Sequence, residues 1–177
     1  MVYNEIAYHG TIEPFAENIL AEQHFHVSSK PNEWLGYGIY FFPNRPHADW
    51  WAGVQSRRHK KPSAVLSALI QCDDTAHFNL DLNENSILLN NFSEELRASL
   101  KCEGTLIPHF EDEKEMHCFF IEAFKETHPT IKLISYTFNT PGNYDGLMFR
   151  PRQLQYCVVD DTIIHDIKFV SKGGVPT

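Results

Sequence analysis

A single stretch, Trp34-Leu35-Gly36-Tyr37-Gly38-Ile39-Tyr40-Phe41-Phe42, constrains the chain more than any other. Two glycines alternate with aromatic residues and then release into an apolar, β-prone run. That order describes a loop whose backbone comes close to another surface before the chain enters a buried strand. Tyr40 stands at the start of that strand with its ring available as a flat wall. The pair of glycines precedes the strand, whereas the fingerprint of a doubly wound dinucleotide fold follows a strand and opens a helix, so a parallel nucleotide-binding sheet is disfavoured.

The rest of the chain reads as one domain over 1–172 with a frayed tail over 173–177, without repeats, low-complexity tracts or a linker. Ile6-Ala7-Tyr8 ends a first strand at His9, with Gly10 expected in the turn that leaves it and Thr11 as the cap of a helix bearing Phe15, Ala16, Ile19 and Leu20. Phe25 to Ser28 reads as a short strand. Pro43 and Pro46 stop the next strand and open a second helix carrying Ala48, Trp51 and Ala52, a helix that brings Trp51 opposite Tyr40 if it packs back on its own strand. Ala64 to Ile70 has the composition of a buried strand, and His77 to Leu82 alternates as a half-exposed one. Ser93 is expected to cap a short helix, and a longer helix runs from about Asp112 to Thr127, ended by Pro129. Strands are expected over 131–138, 145–149, 154–160 and 163–170, with Pro141-Gly142-Asn143 as a turn. Strands clustered late, together with three or four helices, predict an α+β fold with a mixed or antiparallel sheet.

Charge and cysteine usage narrow the function classes. The net charge is −8, which disfavours broad, sequence-independent binding along nucleic-acid phosphates. The one dense cationic run, Arg57-Arg58-His59-Lys60-Lys61, reads as a helix end. Four separated cysteines form no disulfide framework or zinc knuckle, and His24-x-His26 lacks a third ligand at metal-site spacing, so no metal is expected. The N-terminus has no signal-peptide pattern and no apolar run is long enough to span a bilayer, which predicts a cytoplasmic protein without a membrane partner. Glu111-Asp112-Glu113 is read as the acidic start of the long helix. Cys118 and Cys157 sit in no local nucleophile signature.

Three segments stand out chemically. His9-Gly10-Thr11 offers an imidazole beside backbone amides. Tyr40 offers a stacking face. In Gln153-Leu154-Gln155-Tyr156-Cys157-Val158, alternation puts Gln153, Gln155 and Cys157 on one face of a strand, so a polar group projects from an otherwise apolar element.

In that order the three segments resemble the ADP-ribosyltransferase superfamily, in its diphtheria-toxin-like and poly(ADP-ribose)-polymerase-like branch. The family triad is His-Tyr-Glu, written as His-Gly-Ser/Thr, then Gly-x-Gly-Ile-Tyr-Phe, then a late-strand Glu. Here the motifs stand as His9-Gly10-Thr11, Gly36-Tyr37-Gly38-Ile39-Tyr40-Phe41 and Gln155-Tyr156-Cys157-Val158. The resemblance is good through 6–52, weaker over 53–150, and returns at Gln155. It implies a split mixed or antiparallel sheet core with flanking helices, NAD as co-substrate, and mono-ADP-ribosyl transfer to a macromolecular acceptor, protein or nucleic acid.

Carried over by residue, the resemblance implies that His9 meets a ribose hydroxyl and that the Gly10 backbone clasps the carboxamide with Thr11 supporting the turn. It implies that Tyr40 stacks on nicotinamide with Trp51 as a second aromatic. Ser28 and Gly38 join the cofactor-binding set, and the chain from about His26 to Leu35 becomes a donor loop. The catalytic set is His9, Tyr40 and Gln155. Two positions depart from the pattern: Ala48 replaces a serine, and Gln155 replaces the catalytic Glu. A neutral amide supplies no full charge to a developing ribose cation and cannot act as a general base. Chain elongation is therefore not expected; single transfer, or a silenced NAD or ADP-ribose binding module, is. By analogy such free-standing domains include microbial or viral toxins, effectors and defence factors, some delivered into a host cytoplasm and some held by a neutralising partner.

Overall fold

The computed structural model describes residues 1–140 and 151–174. The element order is β1 (Val2–Ile12), α1 (Glu13–Glu22), β2 (Ile39–Phe41), α2 (Arg45–His59), β3 (Ser63–Asp73), β4 (His77–Asn79), α3 (Asn83–Cys102), α4 (Glu113–Thr127), β5 (Leu133–Asn139), β6 (Arg152–Val158) and β7 (Ile164–Lys172). The architecture is α+β, with one sheet ordered β1-β3-β7 and another ordered β2-β6-β5-β4. All pairings are antiparallel except β4 with β5, which makes the second sheet mixed. The expected strand over 145–149 and turn at 141–143 lie outside the described residues.

The two sheets meet along one seam. Tyr8 of β1 and Phe42, just past β2, exchange both backbone hydrogen bonds at 2.8 Å. Strand alternation then sorts the side chains. Ala7, Ile39, Phe41, Leu66, Leu133, Tyr156 and Val158 form a shared core between the sheets, closed by Ala16 and Ile19 of α1 and by Phe25. Tyr8 and Val65 face the other way, against Ala48 and Ala52 of α2. Tyr40, Ile134 and Cys157 also face outward, against Ile121 and Phe124 of α4. At one end of the shared core, both Tyr3 and Tyr156 donate hydroxyl hydrogen bonds of 2.6 Å to the same Glu5 oxygen. The Tyr3 ring lies edge-on to His77 at 4.5 Å, and His77 Nε2 is 2.8 Å from Ser135 Oγ.

Several boundaries differ from the sequence reading. Residues 9–11 do not leave a strand: β1 pairs with β3 in unbroken register from Val2 to Ile12. Gly10 is tolerated inside the strand because α2 crosses it too closely for a side chain. Thr11 is buried, and Ile12 takes the position before α1 with no side-chain cap. Phe25 to Ser28 forms only a single bridge, Ser28 to Gly38. The alternating run after His77 is a strand only to Asn79, because Asp81 and the residues around it turn into α3. Ser93 caps nothing; it lies in the middle of α3 and its hydroxyl donates to the Asn90 carbonyl. Asp112 does cap α4, accepting from the N–H groups of Lys114 and Glu115. Gly173, placed in the tail, donates its N–H to the Ser63 carbonyl at 2.9 Å.

Candidate functional site

The segments containing His9, Gly10 and Tyr40 meet at the seam. His9 follows Tyr8 and reaches across to the second sheet, its Nδ1 lying 2.8 Å from the Tyr40 carbonyl oxygen. A carbonyl only accepts, so Nδ1 carries the proton and Nε2 is left with its lone pair. The imidazole packs edge-on to Phe25 and Phe41, at 5.1 and 5.6 Å. Burial lowers its pKa, which favours the neutral ring, while the carbonyl partner opposes that shift.

Gly10 is the closest approach of strand to helix. A Cβ there would stand 2.2 Å from the Ala48 carbonyl oxygen and 2.8 Å from the Ala52 nitrogen. Since the Tyr8 N–H and C=O point across the seam to Phe42, those of Gly10, two residues on, point to the same side. The bridge is antiparallel, so the residue that comes opposite Gly10 is Tyr40; its carbonyl is taken by His9 Nδ1 and no backbone bond joins Gly10 to β2 among the described residues, so the strand edge beyond the bridge presents a donor and an acceptor side by side.

Tyr40 is held by its own loop. Its hydroxyl donates to the Gly36 carbonyl at 2.8 Å and accepts from the Leu35 N–H at 3.0 Å. Burial raises its pKa, with the neighbouring Cys157 thiol adding to the effect, so the phenol stays un-ionised. Ser28, besides bridging to Gly38, donates to Glu33 at 2.5 Å. The close fit at Gly38 follows from β6, since a Cβ there would meet Cys157 Sγ and the Val158 carbonyl. Cys157 itself is fully buried and its thiol is pushed up to about 12 by desolvation, which makes it a packing group and no nucleophile.

Gln155 and Trp51 sit at the margins. Gln155 lies opposite Tyr136 on β6, two residues from the Cys157 that pairs with Tyr40, and its side-chain amide makes no hydrogen bond among the described residues. Alternation puts it on the outer face with Cys157, whereas His9 approaches from the shared-core side. Trp51 packs with Tyr8, Phe42 and Ala48, and its ring neighbour is Trp50 at 6.0 Å. Tyr40 belongs to the separate cluster of Leu35 and Phe124, because Phe42 takes the place facing α2.

Sequence reasoning missed the group that fixes the glycine loop. Glu122 Oε1 accepts from the Tyr37 N–H at 2.6 Å and from Lys125 Nζ at 2.5 Å, and Lys125 also donates to the Tyr37 carbonyl at 2.9 Å. Gly36, at φ +79°, runs so close that a Cβ would stand 2.3 Å from the same Glu122 oxygen. The only signal was an acid and a base three residues apart on α4, a spacing that equally describes a solvated helix face. Away from this region, His24 pairs with Asp161 and His26 with Glu22, and no group of three metal-ligating side chains occurs among the described residues.

Fold and site together define an α+β protein with two sheets joined at a narrow seam, and a histidine and two close-packed glycines gathered near it. An uncharacterized protein of Methanocaldococcus jannaschii is 28% identical over 122 residues, covering 62% of this chain. That stretch is 57% of the archaeal protein, so the chain spans little more than half of its relative's length. No protein-family model and no solved structure matches the chain. Among the described residues, no helix is long and apolar enough to cross a membrane.

Proposed function

We propose that this chain is an NAD-dependent mono-ADP-ribosyltransferase of the His-Tyr-Glu type, with Gln155 in place of the glutamate. The observation that carries the reading is the strand edge at Gly10: an amide and a carbonyl pointing out beyond the Tyr8–Phe42 bridge, next to a neutral His9 anchored on the Tyr40 backbone. A carboxamide has the complementary donor and acceptor. In this reading the Gly10 backbone orients nicotinamide, His9 Nε2 accepts from a ribose hydroxyl, and Tyr40 and Trp51 supply aromatic surface from either side. Ser28 and the loop it closes lie over the rest of the dinucleotide. The bond from the ribose anomeric carbon to the nicotinamide nitrogen breaks, nicotinamide leaves with the electron pair, and a nucleophile of a protein or nucleic-acid acceptor forms the new bond.

The test uses purified protein, NAD labelled in the adenine half, and cell extract as a source of acceptor, following free nicotinamide and macromolecule-bound label. The expected outcome is label on a macromolecule, lost in His9→Ala with the circular dichroism spectrum unchanged. Full activity in both His9→Ala and Tyr40→Ala overturns the assignment.

The neutral amide of Gln155 favours one further reading, a pocket that holds NAD or an ADP-ribosyl group without turning it over. Gln155→Glu separates the two. A silenced pocket gains NAD hydrolysis, and an active one changes its rate or product.

A further inference from the structure

On the far side of the second sheet, away from His9 and Gly10, α3, α4 and β5 enclose a cavity of about 480 Å³. α3 turns Leu89 and Phe92 to the core, and a polar stripe runs beside them. Ser86, Asn90, Ser93 and Arg97 recur at spacings of four, three and four, one stripe along α3, and that stripe lines the cavity. The apolar Ile87 and Leu88 of the same helix are exposed, at 56% and 46%. Across the space stand aromatic walls: Trp34 and Phe138, with ring centroids 5.7 Å apart, and Tyr136 edge-on to Phe138 at 4.9 Å.

Arg97 closes one end. Its guanidinium lies 4.3 Å over the Phe120 ring and Nη2 is 3.2 Å from Met116 Sδ. Among the described residues no carboxylate pairs with it, although Asp112 and Glu113 line the adjoining groove and the chain carries 23 acidic residues against 15 Lys and Arg. The ammonium of Lys114 adds a second positive group, 5.5 Å over Trp34. A half-buried guanidinium held by a ring face and a thioether keeps most of its donors unused, and a fork of N–H groups matches a carboxylate, sulfonate or phosphate.

We infer that this cavity is a binding site for a small planar aromatic anion, its rings against the aromatic wall that Trp34 and Phe138 form together and its acidic group on Arg97. The volume is that of ordinary small-molecule sites, and apolar walls with a few convergent polar groups are their usual make-up. Asn90, one helical turn from Ser86 and two from Arg97, supplies a further polar contact along the stripe. Of the residues in the NAD reading, Trp34 and Leu35 at the end of the donor loop line the cavity, whereas His9, Gly10, Tyr40 and Gln155 do not, so the inference stands without that reading.

The test is a fluorescence titration of the folded full chain with two probes that share their rings: 8-anilinonaphthalene-1-sulfonate, an anion, and N-phenyl-1-naphthylamine, which is uncharged. The sulfonate is expected to bind at one site per chain. Arg97→Gln is expected to weaken it about tenfold or more, the range of a lost charge-assisted hydrogen bond, with the neutral probe changed less than about twofold. Asn90→Asp, at a surface position whose substitution leaves the helix intact, is expected to weaken the sulfonate alone by placing a negative charge on the stripe. Absence of sulfonate binding overturns the inference, as do equal losses for both probes or an unchanged sulfonate affinity in both variants.

Discussion

At Gly10 the absence of a side chain sets the distance between β1 and α2. The atoms that a Cβ would strike are the Ala48 carbonyl oxygen and the Ala52 nitrogen, both backbone, so trimming a neighbouring side chain cannot make room. Gly10→Ala is therefore expected to push the helix outward and destabilise the fold by about 1–3 kcal/mol, the usual range for overpacking, read from urea denaturation midpoints. A variant as stable as the parent would show that the contact is loose. The same closeness explains Ala48, 0% exposed, at the position where the resemblance leads one to expect serine. A hydroxyl there would have to fit between helix and strand.

Among the elements, α4 has two roles. Its apolar side, with Ile121 and Phe124, fills the core behind Tyr40, and its Glu122–Lys125 pair grips Tyr37 by both N–H and C=O. Glu122→Gln keeps the size and loses the charge, so the charge-assisted bond to Tyr37 weakens. The expected outcome is faster hydrogen exchange at the Tyr37 amide and a loss of about 1–2 kcal/mol in stability. Unchanged protection at that amide would dismiss the grip. Elements of this kind mark the limit of what was legible in advance. The apolar periodicity of α4, its acidic start and its stop before Pro129 could all be read, because those are local properties of the chain. The grip on Tyr37 could not, because it joins residues 85 apart in sequence through a pair that alone looks like a surface salt bridge. Gly10 failed for the opposite reason: a glycine after a histidine has the local signature of a turn, and only a helix arriving from elsewhere makes it a strand residue. In α3 the polar stripe of Ser93 and its neighbours imitated a helix start, because Ser followed by two acids is what a cap looks like.

At the scale of the molecule, two sheets share one core, and among the described residues they are joined by the Tyr8–Phe42 backbone bridge, the His9 bond to the Tyr40 carbonyl and the polar clasp at Glu5. Tyr3 comes from the same strand as Glu5, whereas Tyr156 comes from the second sheet, so the Tyr156 hydrogen bond is the one that crosses. Burial raises the pKa of both phenols, which keeps them donors across the ordinary pH range. A double-mutant cycle on Glu5→Gln and Tyr156→Phe is expected to give a coupling of about 1–2 kcal/mol. A value within error of zero would mean that the Glu5 clasp adds nothing to the joining of the sheets.

The pairing of β2 with β6 has a consequence in time as well as in space. Tyr40 lies beside Cys157, and His9 anchors on Tyr40, so the seam is assembled from the first strand and the sixth. A chain leaving the ribosome carries His9 and Gly10 long before it carries Gln155, and closing so large a loop makes this pairing a slow, late step of folding. Until β6 arrives, β2 has no long partner and Tyr40 no neighbour to rest on. Whatever chemistry the seam performs is therefore withheld from the nascent protein until β6 has been made.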